Sequence, residues 1–83
     1  MDTLQRKEMI KSFIVGRLAK KNEHMDIGYD DNLIVSGIVD SLGIIQLIDY
    51  LERTFSIRIK DEDMVPENFE TVDCIDHYLH KIH

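Results

Sequence analysis

The sequence predicts an all-α fold: a four-helix bundle with three main helices, one short third helix and a long first loop. Three observations lead there. Apolar residues recur at helical spacing in three separate stretches, and cap residues stand where those stretches begin. The one alternating run, "SIRIK" at Ser56–Lys60, has no partner strand and is read as an extended link. The chain has 83 residues, of which 43% are hydrophobic, and is read as a single domain over 1–83. A domain of this size buries only about 60% of its unfolded surface, which leaves little room for a large catalytic cavity.

The first helix is expected from Thr3 to Lys21, with Ile10, Phe13, Ile14 and Leu18 on its apolar face. Thr3 or Asp2 can cap its start, and Lys20 and Lys21 suit the negative end of the dipole. Gly16 is a weak point, costing about 1 kcal/mol against alanine. The connection from Asn22 to Asp40 is longer than the roughly 12–15 residues usual for a structureless loop. It carries Ile27, Tyr29, Leu33, Ile34, Ile38 and Val39, so it is expected to pack on the helices. Gly28 and Gly37 mark bends, and "DDNLI" suits a single turn.

The second helix is expected from Ser41 to Phe55. At 100° per residue Ile44, Leu47, Ile48, Leu51 and Phe55 fall within one arc, opposite Gln46, Asp49, Glu52 and Arg53. Leu42 and Ile45 break the pattern by lying on the polar side. Together they form a small apolar patch, of the kind that marks contact with another molecule. "DEDMVPENF" is expected to form one short helix capped by Asp61 and stopped near Pro66. The last helix starts from Thr71 as N-cap, has Asp73 in its first turn, and turns Val72, Ile75, Tyr78, Leu79 and Ile82 inward.

Charge narrows the function classes. Sixteen acids against ten basic residues give a formal net charge of −6. A nucleic-acid binder needs the opposite sign to neutralise phosphates, so nucleic acid is not an expected partner. An acidic face attracts basic patches on proteins instead. The single cysteine, Cys74, excludes an internal disulfide and is read as a small half-buried hydrophobe. No run of about 18 apolar residues exists, so no membrane span is expected. The start "MDTLQRKEMIKSF" lacks the apolar core of a secretory signal, which suggests the cytoplasm, and with no sign of an oligomer in the sequence a monomer is expected.

Chemical motifs mostly fail on inspection. His77, His80 and His83 are spaced by three, near Asp73 and Asp76, but a solvated helix end complementing the dipole is preferred to a metal site. "DIGYDDNLIVSG" is too poor a calcium loop, with Asp31 at the sixth place and Gly37 at the twelfth. "VDSLG" has Val39 where a nucleophile elbow needs glycine, and the chain is too short for the accompanying sheet. No catalytic residue is assigned. Ser41 remains. Asp40 is already a good cap for the second helix, which leaves the Ser41 hydroxyl exposed at the positive end of the dipole, where a phosphate ester is favoured.

"DSL" at Asp40–Leu42, preceded by Gly37 and followed by an amphipathic helix ending "LERTF", resembles the acyl and peptidyl carrier proteins. The likeness covers nearly the whole chain, including the short third helix around "DEDMVPENF" and the closing helix. The resemblance implies that Ser41 Oγ receives 4′-phosphopantetheine from coenzyme A through a magnesium-using phosphopantetheinyl transferase, with Asp40 and Leu42 flanking it. It implies no catalysis by the chain itself. The chain would carry acyl intermediates as thioesters between a loading ligase and downstream synthase or transferase enzymes of fatty-acid or related lipid or polyketide synthesis. Asp40, Leu42, Ile45, Asp49 and Glu52 would then meet the partner enzymes.

Gly43, Ile44, Gln46 and Arg53 depart from the denser acidic run of the fatty-acid members. "DSLGIIQLI" looks closer to carriers that serve aminoacyl ligases, such as the D-alanyl or peptidyl type, so the cargo stays open. An acyl chain could lodge among Ile48, Ile59, Met64 and Ile75, where methionine suits a variable occupant. A helical adaptor with no prosthetic group is the alternative from another class.

Overall fold

The computed structural model describes residues 2–18 and 27–82. The described residues are helical and contain no strand. Helix α1 spans Thr3–Phe13, α2 Ser41–Phe55, α3 Pro66–Phe69 and α4 Val72–Ile82. A π turn over Ile14–Leu18 follows α1, and a 3-10 turn over Asp61–Asp63 precedes α3.

Asp2 begins α1. Its carboxylate accepts from the Gln5 amide at 2.7 Å, while its own amide donates to the Gln5 side chain, so two end amides are satisfied reciprocally. Regular α geometry stops at Phe13, short of the expected Lys21. The Ile14 amide is shared between the carbonyls of Ile10 and Lys11, and the chain widens into the π turn around Gly16. With no Cβ, Gly16 resists that change least. The Leu18 side chain, residues 19–26 (with Lys20 and Lys21) and His83 lie outside the described residues.

Helix α2 has the expected bounds. Leu47, Ile48 and Leu51 are buried, whereas Ile44 and Phe55 are only partly so. Ser56 ends the helix in the left-handed region, φ 54°, and its amide returns to the Glu52 carbonyl. Residues 57–60 follow without helix or strand pairing, as the sequence implied of the link. The expected single short helix is instead two pieces. No side chain caps the turn at Asp61–Asp63, and Pro66 opens α3 rather than stopping a helix, because its missing N–H costs nothing in the first turn. Thr71 Oγ1 accepts from the Cys74 amide at 2.9 Å, the cap expected for α4. Ile82 does not face inward: it is 40% exposed at the end of the helix.

The core gathers Ile10 and Ile14 from the first helical segment, Leu47, Ile48 and Leu51 from α2, and Val72, Ile75, Tyr78 and Leu79 from α4. Ile27, Leu33 and Val39 of the long loop join it, together with Ile59 and Phe69. Burying an aliphatic side chain of this size contributes about 1.5–3 kcal/mol, which explains why the loop lies down on the helices. Helix α4 packs against α1 and α3. Arg6 pairs with the buried Asp76, and Lys7 with Asp73 at 2.8 Å, joining α1 to α4. On the other side, Phe13 stacks on Tyr50 of α2 with ring centroids 4.1 Å apart, and the Tyr50 hydroxyl donates to the Met9 carbonyl at 3.3 Å.

Candidate functional site

Backbone hydrogen bonds hold the long loop in place. The Leu33 amide donates to the Glu70 carbonyl at 2.7 Å, and the Asp73 amide donates to the Tyr29 carbonyl at 3.0 Å. Asn32 Oδ1 accepts from the amides of Ile34 and Val35, building the turn that "DDNLI" suggested. Gly37, at φ 82°, reverses the chain in a conformation that side chains resist. The Val39 amide then donates to the Leu33 carbonyl at 2.9 Å, with both side chains buried. These contacts settle how the chain arrives at Asp40.

Asp40 is extended, and its Oδ1 accepts from the Gly43 amide at 2.7 Å while its carbonyl starts the helical ladder at Ile44. Capping is therefore performed by Asp40. Ser41 is the first helical residue and is exposed, and among the described residues no hydrogen bond occupies its hydroxyl. The amides of Ser41 and Leu42 precede the first intrahelical partner, and no acid lies in the first turn of α2. An exposed hydroxyl thus stands beside donor amides at the positive end of a 15-residue helix.

The apolar pair expected beside it is solvent-facing, Leu42 at 62% and Ile45 at 65% exposed. Neither packs under the long loop. Asp49 is exposed and ion-paired with Arg53 at 3.1 Å. Glu52 is half-buried, and one of its carboxylate oxygens accepts from the Ile59 amide at 2.9 Å. It therefore spends part of its charge fastening the extended link.

Other groups named from sequence disperse. Ile48, Ile59 and Ile75 belong to the core, but Met64 is 40% exposed and does not share their burial. His77 and His80 are exposed, while Asp73 and Asp76 are taken by Lys7 and Arg6. Among the described residues no cluster of three or more histidine, cysteine, aspartate or glutamate side chains is arranged to hold a metal. Cys74 is half-buried, as expected of a small hydrophobe. No described helix is long and apolar enough to cross a membrane.

Sequence reasoning passed over Val35, which is 84% exposed at the tip of the Asn32 turn, six positions before Ser41. The signal was present in "NLIVSG": once Asn32 caps the turn and Leu33 is buried, Val35 points away from the core.

A family model described as a phosphopantetheine attachment site matches residues 13–73, well over half of the chain. The chain belongs to the phosphopantetheine-attachment-site family. No significant match was found among curated proteins. The matched segment contains the whole approach to α2, Ser41 itself, and the helix that follows. As a member of this family the chain is a phosphopantetheine carrier, and its cofactor is covalently held 4′-phosphopantetheine. The all-helical arrangement with one short helix is consistent with an acyl-carrier-protein-like fold. Carriers of this family interact with phosphopantetheinyl transferases and synthase enzymes, and membership decides against an adaptor lacking a prosthetic group. The residues fit the group: its phosphate needs an accessible oxygen and nearby donors, and the first turn of α2 offers both.

Proposed function

We propose that the chain is an acyl carrier whose 4′-phosphopantetheine is attached through Ser41 Oγ, serving enzymes of fatty-acid or related lipid or polyketide synthesis. The observation that carries this reading is the exposed Ser41 hydroxyl, left unengaged because Asp40 alone caps α2. When bound, the group supplies a terminal thiol that holds an acyl unit as a thioester. The chain's own residues do the rest. Asp40 fixes the helix start, the Ser41 and Leu42 amides and the dipole offset the phosphodiester charge, and Leu42 and Ile45 give partners an apolar foothold. Asp40, Asp49 and Glu52 add charge to that face. Residues 1–83 act as one carrier domain, in the cytoplasm and as a monomer, and the chain itself catalyses nothing.

A second reading, an aminoacyl carrier of D-alanyl or peptidyl type, draws support from α2 itself. Its two acids are engaged by Arg53 and by the Ile59 amide, which makes this face less anionic than its composition suggests. Ligase assays with free fatty acids against free amino acids separate the two cargoes.

The deciding experiment for attachment is intact mass after incubation with coenzyme A and a promiscuous phosphopantetheinyl transferase. Wild type is expected to gain one phosphopantetheinyl group. Ser41→Ala is expected to gain none while keeping its helical circular dichroism. An unmodified wild type, under conditions that modify a control carrier, would defeat the proposal.

A further inference from the structure

Between the end of α1 and the outer face of α2 lies a groove of about 800 Å³, which shares only Ile45 and Asp49 with the partner face described above. Its floor is the stacked pair of Phe13 and Tyr50, and Arg17, Ile45 and Arg53 stand along it. A neighbouring hollow continues it over Phe13, Arg17 and Tyr50 towards Met9. Ile45 is one helical turn from Ser41, about 6 Å along the axis, so the groove begins where the apolar pair beside Ser41 ends.

The groove does not share the acidity of the molecule's net −6: Arg17 and Arg53 stand against Asp49 and Glu8 along it. Of the carboxylates bordering the groove, Asp49 is paired with Arg53 Nε, and Glu8 accepts from the Tyr29 hydroxyl. Arg17 is exposed and has no carboxylate partner among the described residues. An exposed i, i+4 pair such as Asp49–Arg53 contributes only about 0.3–0.5 kcal/mol, so it yields readily to a better-placed acceptor. Arg53 engages Asp49 through Nε alone, which leaves the two terminal amino groups of its fork for a second carboxylate. An aromatic floor flanked by two arginines is complementary to an apolar side chain carried next to acids.

We propose that this groove docks a partner-protein segment that brings carboxylates to Arg17 and Arg53 and an aromatic or aliphatic side chain onto the Phe13–Tyr50 stack. The proposal rests on the carrier reading, since it names the chemistry of a partner on the face beside Ser41. It inverts the basic partner that the overall acidity suggests. The net charge acts at long range and is screened within about 8–10 Å at physiological salt, whereas the two arginines act at contact.

The test uses the full chain, isotopically labelled, titrated with two synthetic helical peptides that share a Leu/Phe stripe. One peptide is flanked by glutamates and the other by lysines. The glutamate peptide is expected to move the amide signals of Phe13, Arg17, Ile45 and Tyr50. The double variant R17E/R53E, changed only at exposed positions and checked by circular dichroism, is expected to weaken that peptide by about tenfold or more. The proposal is overturned if the lysine peptide binds the groove as tightly, if charge reversal changes nothing, if the shifts fall elsewhere, or if neither peptide binds. Loading is read separately by mass. A chain that refuses phosphopantetheine yet binds the glutamate peptide defeats the carrier reading and leaves the groove standing, and the converse pair of results does the opposite.

Discussion

Tyr78 is buried on α4, and its hydroxyl donates to Asp63 Oδ2 at 2.8 Å. Burial first, then this bond and the nearby charges of Asp63 and Glu52, push the phenol up from 10.0 to about 12. The folded state therefore holds the proton more firmly than the unfolded chain. The contribution of Tyr78 to stability is whole below pH 10 and is lost as pH climbs towards about 12. Tyr29 is raised to about 12 as well, chiefly by its bond to Glu8, but it sits near the surface and counts for less. The denaturant midpoint is expected to fall across that alkaline window, and Tyr78→Phe to flatten the fall. Equal slopes for the two proteins would show that the buried phenol is not its source.

At the scale of elements, α1 and α4 are joined by two ion pairs of unequal burial. Arg6 and Asp76 are both largely shielded, whereas the Asp73 carboxylate of the Lys7 pair is about half exposed. Removing one partner of a shielded pair strands the other, at about 3–5 kcal/mol, while an exposed pair contributes about 0–1 kcal/mol. Asp76→Ala is therefore expected to lower the urea midpoint far more than Asp73→Ala, and the apolar double variant R6M/D76L to recover most of the loss. Equal effects of the two single variants would contradict the assignment. Neither pair was legible in the sequence, because Arg6 and Asp76 are seventy positions apart and nothing local marks them. What local chemistry decides was legible: the bounds of α2 follow from Asp40 and an unbroken apolar stripe, and α4 follows from Thr71. The end of α1 was not, because periodicity runs on through Gly16 while the backbone widens there. Pro66 was misread because the same ring that ends one helix can open another. At the candidate site, the exposure of the Leu42–Ile45 pair was readable from helical angles, and that of Ser41 from Asp40 already serving as the cap. The engagement of Glu52 by Ile59, the exposure of Val35 and the groove over Phe13 and Tyr50 all depend on segments meeting in space.

The whole molecule spans 34 × 26 × 21 Å and carries a net −6. At about 0.01 M salt the screening length is roughly 30 Å, as long as the molecule, so its charges repel one another throughout. At about 0.15 M it is roughly 8 Å, and only neighbours interact. The melting temperature is expected to rise between these two conditions in a calorimetric scan, and a flat or falling trend would mean that the cross-helix ion pairs outweigh the repulsion. The two backbone bonds that join Leu33 to Glu70 and Tyr29 to Asp73 in the first turn of α4 carry a mechanical consequence at this scale. They moor the loop that leads into α2 to the neighbourhood of α3 and α4, so that an arm attached at Ser41, as proposed, would turn about a held point. On that proposal the volume swept by the arm would be set by its own bonds, with its centre held still by the body beneath.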